Sequence, residues 1–389
     1  MRKNILFITS SRAEFGLLYQ VIKEAKARKN INTKLIVSGT HLDEKFGLSI
    51  SEIKDANLKI DYEIDIDMKN NNDDISIINS ISKGISKFGE VLKKINPSLI
   101  IILGDRYEMI SVAVCASILK IPIAHINGGE TTEGAYDEYF RHSITKMSHL
   151  HFVACEEYRR RVIQLGENPN FVFNVGGLGV DSINSYKFMS KKELENDLNF
   201  KFSDKNVLVT YHPETMSSQA IDFSLKQILD ALETLKNTKI IFTMPNADTG
   251  NDVIFKMIKD FVKNNNNSIA FPSLGQLRYF SIVRIVDAVI GNSSSGIAEV
   301  PSLKTPTLNI GNRQKGRAMA SSIINCSHNK NEILDSLKII YSRSFQEKLK
   351  NVQNPYGNGG SAKKIVDIIY KHDLDKILKK RFFNLHTKI

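Results

Sequence analysis

The chain has 389 residues, 42% of them apolar and 24% charged, enough for two domains at roughly 150 residues each. That mixture excludes a collagen-like or wholly disordered chain, and no apolar run approaches the ~20 residues of a membrane helix. Lys and Arg number 53 against 42 Asp and Glu, a formal charge of +11, so the surface favours anions.

The cations are unevenly spread. Residues 363–389 hold eight Lys/Arg against three Asp, a tail that reads as a solvated basic face. The opening MRKNILFITSSRAEFG has a basic start, but its apolar run is too short for a signal peptide and no small-residue cleavage site follows. The expectation is a cytoplasmic protein that begins with a strand. Cys115, Cys155 and Cys326 contain no CxxC pair, so neither a disulfide framework nor a zinc knuckle is indicated.

Short, continuously apolar runs alternate with helix-length amphipathic stretches. The predicted strands of the first half are Asn4–Thr9, Lys34–Ser38, Ser98–Leu103, Ile121–Ile126, His151–Ala154 and Phe171–Val175. The predicted helices between them are Leu17–Arg28, Ile75–Ile95, Tyr107–Leu119, Glu138–Ser148 and Glu156–Leu165. Continuous rather than alternating apolar runs indicate parallel strands covered on both faces. The rhythm restarts with strands at Asn206–Tyr211, Lys239–Thr243, Ser268–Phe271, Asp287–Ile290 and Pro306–Ile310, separated by helices such as Ser224–Leu235 and Asp252–Lys263. Gly176–Gly179 reads as a hinge, and Ala362–Lys380 as a last helix. The expected fold is α/β: two Rossmann-like domains, 1–175 and 176–361, with a cleft between them, then a helix and basic tail at 362–389.

In open α/β sheets ligands bind beyond the carboxyl ends of the strands, and polar motifs stand at those ends. Arg12, after the first strand, suits a phosphate or carboxylate; taken alone, a solvated turn explains it better. Asp105 follows the run ending at Leu103, as a catalytic carboxylate or as a helix cap. After Ile126 come Gly128-Gly129-Glu130, then Asp137, Arg141 and His142. If these neighbour the Asp105 strand, Asp105, Glu130 and Asp137 converge, and converging carboxylates split their proton affinities into an acid and a base. The blander alternative pairs Arg141 with Asp137 along one helix.

In the second half, His212 ends a strand before Pro213, placed for a diphosphate contact or a proton transfer; a lone His there is more often part of a capped turn. Asn246 and Asp248 lie in a polar loop after the next strand. Gly291, Ser293, Ser294 and Ser295 open a helix holding Glu299; small hydroxyl residues and glycines there suit a phosphate, and Glu299 a ribose. Arg313, in a basic turn after the last strand, suits the same anion; on this stretch alone a solvated basic turn explains it equally. GxGxxG, Walker A and HExxH patterns are absent from the sequence.

Read in order, SRAEFG, LGDRYE, NGGE, YDEYFRHSITKMS, YHPET, NADTG, GNSSSGIAEVPSL, NIGNRQKGR and NPYGNGG resemble the hydrolysing UDP-N-acetylglucosamine 2-epimerases of bacterial sialic acid synthesis. The resemblance spans nearly the whole chain. It implies a fold like glycosyltransferase fold B with the nucleotide held mainly by the second domain, 176–361, anti elimination of UDP to 2-acetamidoglucal, and water addition giving N-acetylmannosamine. No metal or nicotinamide is implied, because the net reaction is not redox; a homodimer or higher homo-oligomer is. Asp105 and Asp137 match acid–base positions and His212 the histidine near the diphosphate. Arg12, Ser293, Ser294, Glu299 and Arg313 match nucleotide contacts. One position departs: many relatives read HxEGGE where this chain has Asn127, so Glu130 is the expected carboxylate there.

The nearest rival is a hydrolysing 2-epimerase of a UDP- or GDP-linked 2,4-diacetamido-2,4,6-trideoxy sugar of legionaminic acid synthesis. A non-hydrolysing epimerase and a glycosyltransferase share the fold. Nucleic acid is not an expected partner, since the only basic run with aromatics, Lys379-Lys380-Arg381-Phe382-Phe383, is too short for a module; nor is a membrane.

Overall fold

Every strand in both sheets pairs in parallel, as the continuous apolar runs require. In the computed structural model, which describes residues 2–43, 49–68, 74–133, 136–214, 220–245 and 251–385, the chain divides into two units. One comprises Met1–Glu130, Asp137–Ser182 and Gly359–Ile389, the other Thr131–Tyr136 and Ile183–Asn358.

The first unit holds β1 (Lys3–Thr9), β2 (Ile31–Ser38), β3 (Tyr62–Ile64), β4 (Leu99–Leu103), β5 (Ile123–Ile126), β6 (Leu150–Val153) and β7 (Val172–Asn174). Their order is β3-β2-β1-β4-β5-β6-β7. β1 lies between β2 and β4, with Phe7 opposite both Leu35 and Ile101. The order reverses between β1 and β4, which makes their carboxyl ends the crevice of this sheet. β4, Leu-Ile-Ile-Ile-Leu, is buried throughout, as a central strand covered on both faces must be. Helices α1 (Arg12–Lys26), α2 (Ile50–Asp55), α3 (Asp74–Ile95), α4 (Tyr107–Ile118), α5 (Asp137–Met147), α6 (Glu156–Gln164) and α7 (Leu178–Ser185) follow the strands.

The second sheet repeats the plan with β8 (Lys205–Thr210), β9 (Thr238–Thr243), β10 (Ser268–Phe271), β11 (Ala288–Gly291), β12 (Thr307–Ile310) and β13 (Ile323–Cys326). Its order is β10-β9-β8-β11-β12-β13, so the reversal falls between β8 and β11. Helices α8 (Lys191–Leu198), α9 (Ile221–Leu232), α10 (Asn251–Asn264), α11 (Gly275–Val283), α12 (Ser294–Ala298), α13 (Lys330–Ile340) and α14 (Arg343–Leu349) accompany it. Val207, Val209 and Ile290 point into one apolar core, Leu208 and Val289 into another, so this sheet too is covered on both faces.

Three sequence expectations are corrected. The glycine stretch read as a hinge is partly helical, since α7 begins at Leu178. The last helix, α15, runs from Ser361 to Lys371, not to Lys380; Ala362, Ile365, Val366 and Ile369 join the first unit's core with Leu18, Val21 and Ile22 of α1. The tail is not merely a solvated face. Lys380 donates to the Lys146 carbonyl at 2.8 Å and pairs with buried Glu167 at 2.7 Å. Burial alone would raise the Glu167 carboxyl; hydrogen bonds from His151, Lys146 and Lys380 outweigh it and hold it at about 2. Among the described residues no helix is long and apolar enough to cross a membrane.

Candidate functional site

The expected site residues fall into two sets, one at the crevice of each sheet. In the first unit the set is built around Arg141. This guanidinium sits on α5 and is 1% exposed. It contacts the Asp105 carboxylate, which follows β4. It also donates to Glu138 at 2.5 Å and to the Glu130 carbonyl, which follows β5, at 3.0 Å. A buried cation is tolerable only with such partners, so Arg141 fixes Asp105, the Glu130 main chain and Glu138 relative to one another. Asp105 keeps a quarter of its side chain exposed and Glu130 is buried. Asp137 opens α5 beside Glu138. His142 meets Glu138 through Nε2 at 2.9 Å.

Glu138 was not among the expected site residues. The signal was present: carboxylate, Arg and His at i, i+3 and i+4 lie on one helical face, and Glu138, unlike Asp137, has that spacing to Arg141 and His142.

The turn after β5 explains the glycines. Asn127 has φ +64° and Gly129 φ +78°. Asn tolerates the left-handed region better than most residues. A Cβ at Gly129 would lie 2.5 Å from the Tyr158 carbonyl, so glycine is required. Beneath this turn His125 donates from Nε2 to the Gly104 carbonyl at 2.7 Å, and its Nδ1 accepts from the Thr145 hydroxyl at 3.0 Å. Burial lowers its pKa to about 4. It is therefore a neutral imidazole with a fixed tautomer that ties β4, β5 and α5 together.

A second buried cluster at this crevice was also missed. Glu14 of α1 accepts from the Ser10 N–H at 2.8 Å and the Ser10 hydroxyl at 2.7 Å. Its other oxygen is buried without a partner among the described residues, as is one oxygen of Glu108. Arg106 donates to Glu108 from Nε at 3.0 Å and Nη2 at 2.9 Å. Burial raises the Glu14 pKa to about 7, against the pull of Arg106 and with the push of Glu108. Arg12, two residues earlier, is half exposed and pairs with Glu52 at 2.8 Å, apart from the Arg141 cluster.

In the second unit the set gathers where β8 and β11 end. His212 is buried, and burial together with the Arg313 charge lowers its pKa to about 3; it is neutral near pH 7. Gly291 has φ +129°, and a Cβ there would lie 1.9 Å from the Thr210 carbonyl, so this close approach admits only glycine. Ser293 caps α12 by accepting from the Ser295 N–H at 3.4 Å, Ser294 is exposed, and Glu299 follows the helix end. α12 has five residues, so the phosphate groups expected here would meet serine hydroxyls and turn N–H groups more than a helix dipole. Arg313 donates to the Asn292 carbonyl at 3.2 Å. Asn246 and Asp248 lie outside the described residues.

Against this geometry stand the comparisons with known proteins. The GDP/UDP-N,N'-diacetylbacillosamine 2-epimerase (hydrolyzing) of Campylobacter jejuni is 40% identical over 386 residues, covering 99% of this chain and 100% of that protein. The polysialic acid biosynthesis protein P7 of Escherichia coli is 40% identical over 361 residues, 91% of this chain and 90% of that one. Among solved structures, the UDP-GlcNAc 2-epimerase of Neisseria meningitidis bound to UDP-GlcNAc superposes with a TM-score of 0.83 at 21% identity, over 95% of this chain and 100% of that one; that likeness concerns the fold. The family model described as UDP-N-acetylglucosamine 2-epimerase matches residues 23–370. With that match over most of its length, the chain belongs to the UDP-N-acetylglucosamine 2-epimerase family.

Proposed function

We propose that this protein is a hydrolysing 2-epimerase of a nucleoside-diphosphate-linked 2,4-diacetamido-2,4,6-trideoxyglucose, releasing the 2-epimer as a free sugar together with UDP or GDP. The observation that carries the sugar is the 40% identity, over 99% of this chain, to the Campylobacter protein named for that substrate. It turns the reading away from UDP-N-acetylglucosamine, the sugar first expected from the motifs, toward one with a second amide at C4 and a methyl at C6. Release of free N-acetylmannosamine is the second reading, favoured by the P7 relative, whose name belongs to polysialic acid synthesis.

The chemistry proposed is common to both sugars. A carboxylate takes the proton from C2, the C1–O bond breaks, and the nucleoside diphosphate leaves with the electron pair. Water then adds at C1 and a proton is delivered to C2 from the opposite face. Substrate and water in, free sugar and nucleoside diphosphate out, balance without a redox partner. Asp105 and Asp137 take the proton transfers, with Glu130 and Glu138 beside them and Arg141 holding the set. His212, being neutral, serves the diphosphate as a hydrogen-bond donor. Ser293, Ser294, Ser295 and Arg313 bind its oxygens, Glu299 the ribose, and Arg12 the nucleotide.

Steady-state rates with UDP-N-acetylglucosamine and with the UDP- and GDP-linked diacetamido sugar, run side by side, test the proposal. The expected result is a kcat/KM at least about tenfold higher for a diacetamido sugar, the discrimination a pocket gains from one or two substituents. A preference for UDP-N-acetylglucosamine would return the protein to the second reading.

A further inference from the structure

Asn292 makes a set of bonds that a serine-rich phosphate turn does not need. It is fully buried, one residue past β11. Its Oδ1 accepts from the His212 N–H at 2.7 Å, and its Nδ2 donates to the His212 carbonyl at 2.9 Å. The carboxamide thus grips both main-chain groups of one residue, as a neighbouring peptide would in a sheet. Its orientation is fixed, because a main-chain N–H only donates and a carbonyl only accepts. The main chain of Asn292 is tied as well. Its N–H donates to the Thr210 carbonyl at 3.1 Å. Its carbonyl accepts from Gln314 Nε2 at 2.8 Å and from Arg313 Nη1 at 3.2 Å. A fourth link runs from the Asn312 N–H to Glu214, two residues past His212, at 3.0 Å. One side chain and its own peptide therefore join the turns after β8, β11 and β12.

We propose that Asn292 is a positioning residue that locks the His212 main chain and gathers Arg313 beside it, so that imidazole and guanidinium meet the leaving diphosphate as one preset pair. On the nucleotide-sugar reading, on which this rests, both groups meet charge that grows as the C1–O bond breaks. Preset donors cost no reorganisation at that moment. Alanine at 292 strips two partners from His212 and frees its turn. Aspartate keeps the acceptor for the His212 N–H and loses the donor to its carbonyl.

The test is a double-mutant cycle on the full-length protein with Asn292→Ala, His212→Ala and the pair. Asn292→Ala is expected to lower kcat about 10- to 100-fold, the cost of a small misplacement at a reacting centre, with KM changed less than about threefold and N292D falling between. In the His212→Ala background the same substitution should cost less than about threefold more, because its effect passes through His212. An unchanged kcat in Asn292→Ala, or the same loss in both backgrounds, would overturn the proposal. If Asn292→Ala fails to fold, the cycle runs with N292D. A second readout needs no turnover. The His212 amide should lose at least about tenfold of its hydrogen-exchange protection in the variant while β8 amides keep theirs. Unchanged protection refutes the positioning role. A wild type that releases nucleoside diphosphate from no nucleotide sugar refutes the functional reading instead.

Discussion

Replacing Glu14 by Gln should stabilise the protein at neutral and alkaline pH and leave it unchanged in acid. The Glu14 carboxyl is 6% exposed. Two donors from Ser10 reach one oxygen, and the other oxygen is buried without a partner among the described residues. Burial raises its pKa from 4.5 to about 7, and at roughly 1.4 kcal/mol per unit that separation amounts to about 3 kcal/mol. Below about pH 4.5 the carboxyl is protonated in folded and unfolded chains alike and costs nothing. Above it the unfolded chain ionises first, so wild-type stability falls with rising pH until the folded carboxyl also ionises near pH 7, and then levels. Glutamine keeps an oxygen for the Ser10 donors and never ionises. Urea unfolding of both proteins at pH 4, 5, 6, 7 and 8, followed by far-UV circular dichroism, reads the difference. It should grow from near zero to about 3 kcal/mol in favour of Glu14→Gln, most of it between pH 4.5 and 7. A difference that does not change with pH, or one favouring wild type at pH 8, would refute the reasoning.

Arg141→Ala leaves Asp105 and Glu138 beside an emptied buried site; turnover should fall at least about 100-fold and stability by about 3–5 kcal/mol, measured by initial rates and urea melts. Asp105→Asn should lower kcat strongly with little change in UDP or GDP affinity by calorimetry, because an acid–base carboxylate acts in the transition state; unchanged turnover would remove Asp105 from the proposed set. Lys380→Ala should destabilise the first unit at pH 7 by about 1–3 kcal/mol, since buried Glu167 loses one of its charged partners. With the folded Glu167 held at about 2, the wild-type advantage should be full above about pH 4.5 and be lost as pH falls toward 2; a gap that persists at pH 2 would contradict the assignment.

The sequence was most legible where burial is two-sided. β1, β4 and β8 announce themselves because both faces of a central strand must be apolar, and their bounds fall within a residue of the expected ones. The edge strands β3, Tyr62–Ile64, and β13, Ile323–Cys326, were not read. An edge strand packs against one neighbour, and the pattern of β13, three half-buried residues and one exposed, carries no continuous apolar run. Boundaries blurred where a polar turn enters a helix: Arg12 and Glu14 already belong to α1, although the expected helix begins at Leu17.

The site was legible as a set of strand ends, because polar residues directly after apolar strands stand out. Its internal pairing was not. Asp105 and Arg141 are 36 residues apart, and only the adjacency of β4 and β5 brings them together. Asn292 reads as one more turn residue until its carboxamide is seen on His212. Glu14 and Glu108 look like ordinary helix-start acids; their burial at the β1–β4 crevice follows from strand order, which local spacing does not encode.

Proton NMR of the products formed in deuterated water tests the central claim most directly, with the nucleotide sugar that gives the higher rate as substrate. The account predicts free sugar epimerised and deuterated at C2, with one equivalent of nucleoside diphosphate released. An epimer still joined to its nucleotide, or a free sugar that keeps protium at C2, would contradict it.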